Sequence, residues 1–273
     1  MITSIRQTWA FVFRNFHLLR RYMSWVVVFT FYEFVNAATI VLIGVAVNEP
    51  RLTITLILGV MLWNFLSAMF HEISNSISWE RWEGTLEYTF MAPVSRFTHL
   101  LGVSIYAVLY SLVNSTVVLL GLLLFVDINL SGANMSGVLV VVLTGSVAFT
   151  GLGLMAAVLP VMSPEHGAQA ANIFQGVLLL ISGIYYPVSV LPVWLQPLSY
   201  ISPATYVLSA SRTLIGLDEQ SGEMLETGGQ LSEVIPELTT LAIMGVVMVP
   251  LGLWIFGKVE AWAKKTGKLK RTG

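Results

Sequence analysis

The sequence predicts an all-α polytopic membrane protein, and three observations carry the prediction. Its 273 residues are 56% hydrophobic and only 11% charged, against roughly 45–50% apolar and about 25% charged in soluble domains. The apolar residues collect into runs long enough for helices that cross a hydrocarbon core of ~30 Å, which takes about 20 residues. The basic residues collect in alternate connections between those runs, as expected of a chain oriented across a bilayer. A mean hydropathy of +0.78 agrees. The formal net charge of −1 gives no bias toward nucleic acid, and the absence of cysteine excludes disulfides, thiolate nucleophiles and thiolate metal sites.

The N-terminal stretch comes first. Ile5, Trp9, Phe13, Phe16, Leu19 and Met23 recur at helical spacing, while Arg6, Arg14, His17 and Arg21 take other faces. This predicts a helix over 1–23 lying in the membrane interface, with Ser4 and Gln7 at capping-box spacing. A cleaved leader is disfavoured, because the apolar run exceeds the about 7–15 residues of a signal peptide.

Six spans follow, over 24–46, 53–75, 98–125, 136–159, 170–186 and 238–257. Arg6, Arg14, Arg20 and Arg21 precede the first, and Arg81 and Arg96 lie between the second and third. Lys258, Lys264, Lys265, Lys268, Lys270 and Arg271 make a basic tail over 258–273, and only Arg51 and Arg212 fall on the other side. Both termini are therefore expected in the cytoplasm. Pro160, Pro164, Glu165 and His166 end the fourth span in a short cytoplasmic turn, and Gly153 and Ala157 have the small-xxx-small spacing of close helix packing.

Residues 78–96, SWERWEGTLEYTFMAPVSR, interrupt the apolar pattern on the cytoplasmic side. As one helix they place Trp79, Trp82, Leu86 and Phe90 near one stripe, with Glu80, Glu83 and Glu87 elsewhere. Glu83 and Glu87 are like charges four apart, and Gly84 costs about 1 kcal/mol relative to alanine inside a helix. The pattern makes better sense as a turn at Gly84, a short helix over 85–91 and a stop at Pro93. An amphipathic interfacial loop is the plainer alternative.

Polar residues inside the spans need partners or water. A charge at the position of Glu33, near the middle of the first span, costs about 2.5–3.5 kcal/mol. No intramembrane lysine or arginine accompanies it, which favours a structural or path-lining carboxylate over a proton relay. Asn36, Asn64, Asn114, Asn172 and Gln175 either line a route or bond between helices, at about 0.6–2 kcal/mol each. The four histidines lack ligand spacing such as H-E-x-x-H, so no metal site is expected, and no G-x-x-x-x-G-K-[ST] phosphate loop occurs. Any ATP-driven work needs a partner chain.

After the fifth span, Pro187, Pro192, Pro197 and Pro203 forbid one continuous helix. Tyr185, Tyr186, Trp194, Tyr200 and Tyr206 suit the headgroup region, so residues 183–216 are expected to form short helices dipping into the outer leaflet, with a static aromatic belt as the alternative. Asp218, Glu219, Glu223, Glu226 and Glu233 mark a polar external loop.

Two blocks carry a family resemblance. Glu83-Gly84-Thr85-Leu86-Glu87, followed by Met91-Ala92-Pro93 and Arg96, resembles the cytoplasmic loop of type-2 ABC-transporter permeases, the membrane subunits of bacterial drug, polysaccharide and related exporters. Gly183-Ile184-Tyr185-Tyr186-Pro187, then Leu191-Pro192, Trp194-Leu195, Ser202-Pro203, Tyr206, Arg212 and Gly216, is similar to the segment after that family's fifth span.

The resemblance implies a single permease domain over 1–273 with a coupling helix that enters a cleft of a separate ATPase. Glu83, Thr85, Leu86 and Glu87 would make the contact, Gly84 would permit close approach, Trp79 and Trp82 would anchor the base, and Pro93 and Arg96 complete the loop. Tyr185, Tyr186 and Pro187 would belong to an outer gate, and Glu33, Asn36, Asn64 and Asn114 to the path. No cofactor is then bound by this chain; ATP and Mg sit on two copies of the ATPase. A second permease copy, identical in the simplest case, and membrane lipid complete the expected partners, in a bacterial inner membrane. The short outer loops and apolar lining favour a hydrophobic drug, antibiotic or lipid-like cargo. The alternatives are a lipid-linked polysaccharide, ion-coupled secondary transport through Glu33, and a non-transport scaffold.

Overall fold

A computed structural model describes residues 2–126, 132–163, 165–217 and 227–267. The acidic residues Asp218, Glu219, Glu223 and Glu226, Pro164, and the tail from Lys268 onward lie outside the described residues.

The amphipathic N-terminal stretch forms α1 (Ile2–Arg21). Ser4 lies inside its first turns rather than at a cap, so the capping-box expectation fails: the helix starts earlier than the spacing implied. α1 lies against α5 (Arg96–Leu122) at Gly102, where a Cβ would meet Phe11 Cβ at 2.6 Å and the Thr8 carbonyl at 2.8 Å. Its other side leaves Ile5, Trp9 and Phe13 about 60% exposed, as a helix bedded in an interface requires.

The bundle is built on α3 (Pro50–Trp82), whose 33 residues span about 50 Å. That exceeds the apolar run, because hydropathy registers the bilayer while the helix continues past it. Leu66, Met69, Phe70, Ile73 and Ile77 of α3 are fully buried, and Phe70 sets its ring edge-on to Phe149 of α6 (Met135–Ala156) at 6.4 Å. α2 (Met23–Ala46), by contrast, buries only Ala37, Val41 and Gly44. α6 ends where Pro160, lacking an N–H, cannot bond the Ala156 carbonyl, and a short α7 (Val158–Met162) continues it.

Among the described residues five helices are long and apolar enough to cross a membrane: α2, α3, α5, α6 with α7, and α11 (Ile235–Thr266). The expected fifth span differs. α8 (Gly167–Ile181) has 15 residues, about 22 Å, because the chain turns at Gly183, φ +66°. Ser182 Oγ meets Ser202 Oγ at 2.6 Å and Arg212 donates to the Gly183 carbonyl at 3.3 Å, so the following segment is pinned back on α8. Residues 183–216 thus fold as a short 3-10 turn, α9 (Gln196–Ser199) and α10 (Pro203–Leu214), as the prolines dictate. Gly59 of α3 admits the turn: a Cβ there would meet the Ile184 carbonyl at 2.6 Å.

α6 and α11 approach each other closely, backbone to backbone. A Cβ at Gly151 would lie 2.5 Å from Met248 backbone and side-chain atoms, and one at Gly252 2.8 Å from the Gly151 carbonyl. Gly153, singled out by its spacing, instead faces Ile73 of α3.

Candidate functional site

The predicted turn at Gly84 is a complete helix stop. Gly84 has φ +73°, its N–H donates to the Arg81 carbonyl (3.1 Å) and the Thr85 N–H donates to the Glu80 carbonyl (2.8 Å). The Glu80 and Arg81 carbonyls, two of those left over at the α3 terminus, are satisfied by this left-handed geometry, which glycine adopts without steric cost. A six-residue helix follows, α4 (Leu86–Met91), with Thr85 at its N-cap. Ala92 is extended, as a residue before proline prefers, and Pro93 ends the element. Ser95 then caps α5 by accepting from the Thr98 N–H at 3.1 Å.

α4 has two faces. Leu86, Thr89 and Phe90 are buried against the bundle; Glu87, Tyr88 and Met91 are exposed, with Thr85 and Pro93 beside them. Leu86, expected as a contact residue, is 2% exposed and is not available to another chain. The stripe of Trp79, Trp82, Leu86 and Phe90 does not form either, because the positive-φ turn at Gly84 breaks the helical register between its halves. Trp79 and Trp82 pack edge to face at 5.4 Å and, with Tyr22, make a partly exposed aromatic cluster at the foot of α3.

Arg96, expected to complete the coupling loop, turns inward. Its guanidinium donates to the Thr89 carbonyl (3.0 Å) and the Phe90 carbonyl (2.7 Å), closing the C-terminal end of α4. Its Nε donates to Glu260 Oε1 of α11 at 2.9 Å, and Lys264 reaches the same oxygen at 2.7 Å. The physical reason is the orphan carbonyls: a six-residue helix leaves its last carbonyls unbonded, and a guanidinium fork satisfies two of them at once.

Two further ties steady the base. Glu80 Oε1 accepts from Arg14 of α1 (2.6 Å) and pairs with His99 of α5 (3.0 Å), joining three helices at one buried carboxylate. Glu83, expected to face a partner, accepts from the Tyr22 hydroxyl at 2.5 Å. That hydrogen bond to Glu83 is the main reason the Tyr22 hydroxyl titrates above the ordinary tyrosine range.

The expected path residues sort differently. Asn114 donates to Glu33 and accepts from Thr30 Oγ1 at 2.7 Å, so Glu33 has an interhelical partner between α2 and α5. Asn36 is exposed and bonds within its own helix, to the Tyr32 carbonyl at 3.0 Å. The Asn64 side-chain amide nitrogen is buried with no partner among the described residues. Tyr185 is half-buried, Tyr186 donates to the Leu180 carbonyl at 2.5 Å, and Pro187 is exposed at the turn.

Tyr88 and Met91, the most exposed large side chains of α4 at 76% and 84%, were not among the expected contact residues, although Met91 stands in the motif. Leu86, Tyr88, Phe90 and Met91 are all apolar in character, and only the packing of α4 tells inside from outside.

An interfacial helix, a tightly held knob between the second and third long helices, and a folded-back segment after α8 now stand together. The family model of the ABC-2 type transporter matches residues 2–215. The chain belongs to the ABC-2 type transporter family. No curated protein matches it significantly. In this ABC-2 membrane domain the matched stretch takes in α1 through α10, with the first motif block and the second as far as Arg212, and ends before α11. The partner of Arg96, Glu260, therefore lies beyond it. Such membrane domains work with a partner ATPase subunit.

Proposed function

We propose that this ABC-2 chain is the permease subunit of an exporter, driven by a separate ATPase that docks on α4. The observation that carries this is the form of α4: a six-residue knob fastened at both ends, presenting Thr85, Glu87, Tyr88 and Met91 outward from the end of the bundle where the basic residues gather. Basic connections mark the cytoplasmic side, where ATP is available. The exposed set offers one carboxylate, a phenol and a flexible thioether, suited to a cleft with an apolar wall and a basic rim.

On this reading both termini are cytoplasmic, the membrane is the bacterial inner membrane, and two ATPase copies bind ATP with Mg. On the same reading the nucleotide sites belong to the ATPase, in keeping with a sequence that has no G-x-x-x-x-G-K-[ST] phosphate loop. A second permease copy, the same chain in the simplest assembly, supplies the other wall of the route, and the sparsely buried faces of α2 and α11 meet lipid or that copy. Nucleotide binding favours one ATPase arrangement, and α4 biases the permease with it to the extent of the differential binding energy. The cargo class best suited to an apolar lining is a hydrophobic drug, antibiotic or lipid-like molecule.

Charge reversal tests the docking role. Glu87→Lys is expected to weaken association of the ATPase with the purified permease and to lower ATP-driven export, with the helical content unchanged. Full ATPase binding and export by that variant would remove α4 from the proposal.

A further inference from the structure

We infer that Arg96 and Glu260 are positioning residues that link α4 to α11, so that a displacement of the docking knob is handed to the last helix and through it to the folded-back segment. The inference rests on the docking reading above and adds the route of the motion.

Three kinds of contact converge at the α4–α11 junction. Arg96 holds the Thr89 and Phe90 carbonyls and Glu260 Oε1 at once, at 3.0, 2.7 and 2.9 Å. Lys264 neutralises the same carboxylate from one helical turn further along α11, at 2.7 Å. The Phe90 ring lies under the Arg96 guanidinium (4.3 Å to its centroid) and against the Phe256 ring (6.5 Å), one turn before Glu260. A planar guanidinium rooted on the first residue of α5 and bonded in fixed directions to α4 and α11 ties the ends of all three, so α4 shifts against α11 only by breaking those bonds, unlike a lone surface pair. Glu260 is 5% exposed, so water does not readily replace it as the partner.

From there the path stays packed. α11 runs along α6 without side-chain padding at Gly151 and Gly252, where backbones touch, and at Gly245, where a Cβ would meet Val147 at 2.9 Å. Gly145 of α6 leaves room for Val207 of α10, whose Cγ2 would lie 2.2 Å from a Cβ there, and Leu241 of α11 is fully buried beside it. α10 belongs to the segment that turns back at Gly183. Closely packed helices shift as units rather than absorbing displacement, and a route of this kind is established only by showing that both ends respond together.

The absence of cysteine allows a clean reporter. Val193→Cys, at a position 81% exposed in the folded-back segment, is placed in the full permease, reconstituted with its ATPase subunit in lipid nanodiscs, where both faces are open to ATP and reagent. Labelling by a membrane-impermeant maleimide is timed with and without ATP plus vanadate. In the Val193→Cys parent, nucleotide is expected to change the rate by about fivefold or more, the lower range of ordinary site-to-site coupling. With Glu260→Leu added, the ATPase stays bound and hydrolyses ATP, but the nucleotide response disappears; Glu260→Asp restores it. Glu260→Gln, which keeps side-chain shape, gives a reduced response and carries the test if the leucine variant does not fold. A full nucleotide response in Glu260→Leu, or in Glu260→Gln where the leucine variant does not fold, would overturn the inference. So would release of the ATPase by these variants while the parent holds it, since the cluster would then serve docking alone. Failure of the parent itself to bind the ATPase would instead bring down the docking reading.

Discussion

Replacing Gly84 with alanine tests the geometry of the knob most sharply. Gly84 sits at φ +73° and joins the 33-residue α3 to the six-residue α4. A Cβ in the left-handed region costs about 1–2 kcal/mol. The alternative open to an alanine chain is to continue α3 as a helix, which gives up the Thr85-to-Glu80 bond and swings α4 off its seat. The strain therefore lowers the share of chains with the docking-competent turn by up to about 5–30-fold, since 1.4 kcal/mol is a factor of ten. The assay is titration of the ATPase subunit against purified permease, with Gly84→Asn as the control, because asparagine tolerates the left-handed region better than alanine does. Gly84→Ala is expected to weaken binding and Gly84→Asn to weaken it less. Wild-type binding by Gly84→Ala, or equal damage by both, would refute the reasoning.

Three further outcomes follow from other parts of the fold. Gly151→Leu forces a side chain into the contact with Met248 and is expected to cost about 1–3 kcal/mol, read as a lower melting temperature in detergent; an unchanged melt would mean that α6 and α11 are not held this closely. Glu33→Gln keeps an acceptor for the Asn114 amide, so it should leave folding and ATP-driven export intact, whereas ATP-independent transport that vanishes in this variant would favour an ion-coupled carrier. Tyr22 bonds the Glu83 carboxylate and its pKa is raised, so the link is complete below the ordinary tyrosine range and is lost only as pH rises through the raised value. An ultraviolet titration of wild type minus Tyr22→Phe should show that late ionisation, and Glu83→Gln should move it to lower pH.

Hydropathy made the long helices legible, since an uninterrupted run of about 20 apolar residues matches the thickness of a bilayer and little else. It could not place the end of α8. Ile184, Tyr185 and Tyr186 continue the apolar run, while the turn is set one residue earlier by the left-handed Gly183, a backbone property that hydropathy does not register. The stop at Gly84 was legible because the glycine is flanked by a like-charge pair and followed by Pro93. The orientation of α4 was not. Its apolar residues point both ways, and the side chain that fixes it, Arg96, finds its carboxylate 164 positions away. Glu33 and Asn114 each stood out as polar residues in spans, but their pairing across 81 positions is a fact of helix packing alone.

Site-directed crosslinking from α4 addresses the central claim most directly. The native chain has no cysteine, so Tyr88→Cys carries a single photoactivatable group at a position 76% exposed on the knob. The account predicts a crosslink to the ATPase subunit in the assembled membrane complex, with a yield that changes on adding ATP. An ATPase that co-purifies fully yet never crosslinks from Tyr88→Cys, while crosslinking from another face of the permease, would contradict it.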